Sequence, residues 1–154
     1  MLVYRIVKLK RRTKDISGTG AFNEGGRWNN EGVFALYTSE NEALAMLEIL
    51  VNVELTELPP KMFVMTISVD DNAPIYKVPD KVLPKSWRLP ENIFLKNFGD
   101  KIFTEKRFIG MKARSAVMEN SYNFILNPLF PNYYDLVKVM EVQKLEIDKR
   151  LYNQ

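Results

Sequence analysis

The sequence predicts an α+β fold built from mixed, mostly antiparallel sheets with a few helices. Segments that alternate polar and apolar residues outnumber those with helical spacing. They also follow one another in mixed order, without the regular strand–helix–strand alternation of a doubly wound sheet. The 154 residues suit one ordinary domain with a real core. No repeat, low-complexity tract or linker divides them, so 1–154 is read as a single domain.

Leu2–Val7 opens with a strand, Val3, Arg5 and Val7 on one face and Leu2, Tyr4 and Ile6 on the other. Residues 8–32 read as loop, broken by Gly18, Gly20, Gly25, Gly26 and Gly32. A short buried strand is expected at 33–38. Ser39, with Glu42 three positions on, has capping-box spacing and is expected to start a helix that runs to about Asn52, ahead of Pro59 and Pro60. Lys61–Val69 alternates as a strand, and 75–78 is a second short one.

Residues 79–90 are irregular and carry Trp87. From 91 to about 107, Phe94, Leu95, Phe98, Ile102 and Phe103 have helical spacing, although Gly99 sits among them. A strand follows at 108–117, a loop at 120–134, and one or two strands at 135–147. Aromatic residues between 130 and 134 are candidate contact points for a partner.

Composition removes many chemistries. Hydrophobic content of 46% and charged content of 27% belong to a soluble globular protein. No apolar run approaches the roughly 18 residues that span a bilayer, and nothing reads as a signal peptide, so a cytoplasmic location is expected. There is no cysteine and no histidine. Disulfides, thiolate zinc sites, cysteine nucleophiles, Ser-His couples and imidazole bases are thereby excluded. Chemistry is left to Arg, Lys, Glu, Asp, Tyr and Ser.

The net charge of +3 is partly concentrated in KLKRRTK, residues 8–14. Lys8, Lys10, Arg11, Arg12 and Lys14 are of a kind to meet a phosphate-bearing ligand or an acidic partner, but the favoured reading is a solvated basic loop. No aromatics interleave it as in a single-strand binder, and no direct nucleic-acid binding is expected.

Residues 25–50, GGRWNNEGVFALYTSENEALAMLEIL, carry the most information. Glu48 is the one charged residue between Ala43 and Val51, and its helical neighbours are Leu44, Ala45, Val51 and Asn52. A carboxylate in such a run costs several kcal/mol of desolvation unless it is paired or used. One reading is a buried ion pair, most simply with Arg5. The other is a carboxylate held in a cleft to act on a ligand. Arg27 follows Gly25 and Gly26, which let backbone approach a ligand, and a guanidinium suits a diphosphate. Tyr37 and Ser115, taken alone, read as core and strand residues.

The order of YRI with Arg5, GGRWNNEG, LYTSENEALAMLEIL, RSAV, NFILNP and a late IDKRL resembles the RES domain family, named for its characteristic Arg, Glu and Ser. The resemblance covers nearly the whole chain. The family usually shows a proline before the serine, and Arg114 stands there in this sequence.

The resemblance implies a toxin of a bacterial toxin–antitoxin pair, partnered by an antitoxin of the Xre helix-turn-helix type, with a fold like that of ADP-ribosyltransferases and a homodimer. It implies NAD+ as substrate, cleaved between nicotinamide and ribose by hydrolysis or phosphorolysis, with phosphate as a candidate co-substrate. Transfer of ADP-ribose to a protein is the alternative, and a non-catalytic nucleotide- or protein-binding module is a second. By similarity Glu48, Arg27 and Tyr37 are expected to be catalytic. Arg5, Ser115, Gly26, Trp28 and Asn123 would bind NAD+. No metal and no resident cofactor are expected. Nicotinamide leaves as a neutral base from a cationic ring, so no histidine acid is required.

Overall fold

The computed structural model describes residues 1–151. Its strands are β1 (Leu2–Val7), β2 (Leu36–Ser39), β3 (Lys61–Val69), β4 (Ile75–Lys77), β5 (Gly110–Arg114), β6 (Tyr122–Leu126) and β7 (Val137–Glu146). They lie in one sheet in the order β4-β5-β6-β2-β1-β3-β7, antiparallel throughout except for β4 beside β5. Four helices accompany the sheet: α1 (Thr19–Glu24), α2 (Glu42–Leu50), α3 (Ile93–Thr104) and the single turn α4 (Tyr133–Leu136). The α+β expectation holds.

Period-two side chains give the sheet two buried faces. On one, Val3 and Val7 of β1 join Leu36, Met65, Ile67, Phe124 and Leu126, closed by Tyr133. On the other, α3 lays Leu95, Ile102 and Phe103 against Met111, Ala113 and Ile125, and α2 lays Ala45 over Ile6, Met62 and Val64. Each large apolar side chain so buried contributes roughly 1.5–3 kcal/mol.

Several boundaries differ from the expectations. The helix expected from Ser39 begins at Glu42 and is capped by Asn41, whose side chain accepts from the Leu44 amide at 2.8 Å. Ser39 instead ends β2. Helix α1 lies inside the expected 8–32 loop; at six residues, bracketed by Gly18 and Gly25, it is too short to show a period. Strand β6 lies inside the expected 120–134 loop. Asn120, Asn123 and Asn127 hide it in sequence, yet Phe124, Ile125 and Leu126 are buried between β5 and β2. Strand β5 stops at Arg114, short of the expected 117. The aromatics expected as contact points are mostly core: Tyr133 is buried with its hydroxyl on the Ile16 carbonyl, and Phe130 packs beside it. Tyr134 alone of these is exposed.

Gly99 sits in α3 for a steric reason. A Cβ there would lie 1.8 Å from the Trp28 carbonyl oxygen, so helix and arginine loop touch backbone to backbone. We expect Gly99→Ala to destabilise the protein by about 1–3 kcal/mol through forced separation. Thermal unfolding measures this, and an unchanged melting temperature would contradict the packing.

Candidate active site

The turn that follows α1 places the first site residues. The Gly26 amide donates to the Asn29 carbonyl at 3.0 Å, closing a tight turn with Arg27 and Trp28 at its corners. The two side chains part company there. Trp28 is buried in the core beside α3, edge-on to Phe98, while Arg27 lines a cleft. Asn29, fully buried, anchors the turn: its amide nitrogen reaches the Ala21, Asn30 and Val33 carbonyls at 2.9–3.1 Å.

Tyr37 of β2 locks onto the same turn. Its hydroxyl donates to Asn29 Oδ1 at 2.7 Å and accepts from the Trp28 amide at 2.9 Å. Burial pushes its pKa well above the usual phenol value, so it stays protonated. Gly26 has to be glycine because a Cβ there would sit 2.5 Å from the Tyr37 hydroxyl oxygen. The sequence marked Gly26 for backbone approach to a ligand; in the structure the close neighbour is the Tyr37 ring.

Arg27 Nη1 donates to the Trp87 and Leu89 carbonyls at 2.8 and 3.0 Å. These bonds fasten the irregular 79–92 segment along one wall of the cleft. Among the described residues no hydrogen bond reaches its Nε or Nη2. Burial lowers the guanidinium pKa, against the opposing pull of Glu48 and Tyr37.

Glu48 projects from α2 toward β5 and β6. Ser115, fully buried just beyond β5, donates its hydroxyl to Glu48 Oε1 at 2.8 Å. Asn123 of β6 donates its amide to the same oxygen at 2.5 Å. Among the described residues nothing bonds to Oε2. The Ser115 hydroxyl also accepts from the Val117 and Met118 amides, both at 3.1 Å, so it orders its own turn while orienting the carboxylate. Arg114, in place of the family's proline, leaves this arrangement intact. It turns to Asp80 in a two-nitrogen pair and to the Glu119 carbonyl.

The Arg5–Glu48 ion pair, one of the two readings of the sequence, does not form among the described residues. Arg5 Nη1 donates to the Tyr37 carbonyl at 2.8 Å, and its buried Nε has no partner among the described residues. Burial, then the nearby Arg12, lower its pKa, with Asp15 and Tyr133 acting the other way. The reason lies in the sheet. Arg5 shares its strand face with Val3 and Val7, whereas Glu48 approaches from the side that α2 covers. Strands β1 and β2 pair at one position among the described residues, Tyr4 with Ser39. The cleft, about 650 Å³, opens where they part, within the range of small-ligand sites.

Arg5, Gly26, Arg27, Trp28, Tyr37, Glu48 and Asn123 all line this cleft; Ser115 stands behind Glu48. Arg12, Asp15 and Ser39 also line it and were not singled out for the site. Arg12 belongs to the basic run read as solvated, and its ion pair with Asp15 at 3.7 Å emerges only on folding. Among the described residues no group of three or more acidic side chains is gathered as a metal would need.

The RES domain family model matches residues 2–148. The chain belongs to the RES domain family. This RES domain is 32% identical over 152 residues to "Toxin Res" of Photorhabdus laumondii, covering 98% of the chain and 97% of that protein. It is 30% identical over 140 residues to the "Prs ADP-ribosylating toxin" of a Sphingobium species, covering 89% and 86%. Its fold matches a chain in the crystal structure of the M. tuberculosis MbcT–MbcA toxin–antitoxin complex with TM-score 0.73, at 18% identity, over 99% of this chain and 86% of that one.

Since Glu48 is held by neutral donors, Glu48→Gln keeps an acceptor for both and should change stability by less than about 1 kcal/mol. A loss of about 3–5 kcal/mol on thermal or urea unfolding, the cost of stranding a buried ion-pair partner, would reinstate the pair with Arg5.

Proposed function

We propose that this RES domain is the toxin of a toxin–antitoxin pair and consumes NAD+ by cleaving the bond between nicotinamide and ribose. The observation that carries this reading is the state of Glu48: Oε1 fixed by two donors, Oε2 free, and Arg27 close enough across the cleft to feel its charge. A carboxylate held this way is preorganised for charge that develops on a ligand.

In the reaction the C1′–N1 bond breaks and its electron pair leaves with nicotinamide, which becomes neutral. Positive charge grows on the ribose ring, and Oε2 of Glu48 stabilises it or accepts a hydrogen bond from a ribose hydroxyl. Water then bonds to C1′ and gives up a proton, yielding ADP-ribose. With phosphate as acceptor, the phosphate ester of ADP-ribose forms instead. Arg27, through its free nitrogens, and Arg5, through its unpartnered Nε, would neutralise the diphosphate and fix the dinucleotide. The Tyr37 ring offers a face for nicotinamide. Gly26 leaves room for the Tyr37 ring, and Asn123 grips Glu48.

Transfer of ADP-ribose to a protein is the second reading, favoured by the name of the Sphingobium relative. The proposed partner is an Xre-type helix-turn-helix antitoxin, consistent with a structural neighbour solved with its antitoxin, and the toxin is proposed to form a homodimer. No described helix is long and apolar enough to cross a membrane; the cytoplasm, where NAD+ is available, is the proposed location.

The test is nicotinamide release by the purified protein from NAD+, with and without phosphate and with a cell extract as protein acceptor. Wild type should release it, and Glu48→Gln should lower the rate about 10²–10³-fold, the scale of losing a preorganised electrostatic group. No release under any condition, or equal rates in the two proteins, would overturn the proposal and leave a binding module.

A further inference from the structure

We infer that Ser39 is a positioning residue for Glu48, acting through Asn123. The inference rests on the proposed role of Glu48 and extends it one residue outward.

Sequence spacing offered Ser39 as a helix cap, but Asn41 takes that task. The Ser39 hydroxyl is therefore free, and it is spent in an unusual place. It lies 2.8 Å from Asn123 Oδ1 and, among the described residues, has no other hydrogen-bond partner. Ser39 and Asn123 face each other across the β2–β6 pair, and Ser39 is 3% exposed. The adjacent Thr38 shows the contrast: its hydroxyl donates to the Phe124 carbonyl, a bond that holds strand to strand. The Ser39 hydroxyl bonds to no backbone group among the described residues.

Donor and acceptor chemistry fixes the direction of this chain. An ionised carboxylate only accepts, so Asn123 must present its NH2 to Glu48. The amide oxygen then faces Ser39, and an amide oxygen only accepts, so the serine must donate. The order Ser39 to Asn123 to Glu48 is thus set from the carboxylate end, and the serine hydroxyl anchors the far end of the amide. Without that hydroxyl, the Asn123 oxygen loses its partner, and the amide, still turned by the carboxylate to present its NH2, is anchored at one end only and can swing about that bond. Glu48 would then keep Ser115 as its one firmly placed donor, with Asn123 loosely held, and its other oxygen would no longer be held at one angle to the cleft. Positional error of this kind lowers the rate of chemistry more than substrate binding.

The side-chain amide protons of Asn123 report this directly by 15N-resolved NMR, identified by their loss in Asn123→Ala. In Ser39→Ala they should move and exchange faster with solvent, as they should in Glu48→Gln, while the backbone amide spectrum keeps its dispersion. In the nicotinamide-release assay, Ser39→Ala should lower kcat about tenfold with KM for NAD+ unchanged within about twofold. Ser39→Thr, which retains a hydroxyl, should recover most of kcat. Asn123 amide signals in Ser39→Ala identical to wild type, an unchanged kcat, or a Thr variant as impaired as the Ala variant would each overturn the inference. Should wild type release no nicotinamide, the proposed reaction fails, and the amide signals alone decide whether Ser39 orients Asn123.

Discussion

Strands β1 and β2 lie next to each other in the sheet yet meet at Tyr4 and Ser39 alone among the described residues, and the site is built around that parting. A continuous ladder would have joined the Tyr37 carbonyl to β1. Instead the Arg5 guanidinium donates to it, and a charged side chain takes the place of a neighbouring strand. The same parting gives the cleft walls from both strands. Buried backbone acceptors are seldom left without partners, so opening the sheet requires a donor long enough to cross the gap. Arginine meets that need and still has nitrogens to spare for a ligand.

The charges around the cleft are unevenly balanced. Arg5 and Arg27 are both desolvated, and both donate to neutral carbonyls rather than to carboxylates. Glu48 in turn is held by a serine and an asparagine rather than by a cation. Neutral partners satisfy geometry without cancelling charge. The cations thus keep their attraction for an anion, and the carboxylate keeps its effect on a developing cation, where ion pairing between them would have consumed both. The unpartnered Nε of Arg5 is the clearest trace of this. Such a group is tolerated at a cost of about 1–3 kcal/mol, and that cost is recovered when a ligand supplies the missing acceptor.

What was legible in the sequence follows from where each residue finds its partners. Strands β1 and β3 and the body of α2 were visible because their signals are periodic and local. The oddity of Glu48 was equally local, one carboxylate among Ala, Leu, Met and Ile. Its partners were another matter. Ser115 and Asn123 lie 67 and 75 residues away, and no spacing rule joins such positions. Pairing Glu48 with Arg5 was the simplest charge-matching guess, and it failed because opposite sides of a sheet cannot be told apart from charge alone. Strand β6 was missed because asparagines that read as loop signals serve buried tasks: Asn123 grips Glu48, and Asn127 donates to the Phe103 carbonyl. Resemblance to the family named positions that the fold gathers at one cleft, without saying what holds them.

Arg114 shows how a residue beside Ser115 can find its own partners while the Ser115–Glu48 bond stays in place. A proline at that point would restrict the backbone leading into the Ser115 turn. Here the turn is specified instead by the Ser115 hydroxyl, which accepts two amides, and by the Ser115 amide, which donates to the Ser121 carbonyl. The arginine adds an outward tether to Asp80, whose exposed carboxylate makes the ion pair a weak contributor to stability. Its stronger effect is on connectivity. Asp80 stands near the start of the 79–92 segment that Arg27 binds through Trp87 and Leu89, and Arg88 of that segment reaches the Ala116 carbonyl beside Ser115. The irregular wall is therefore tied at both ends to the two turns that carry Arg27 and Ser115. With arginine before Ser115, a surface network of side chains ties this turn to the wall of the cleft.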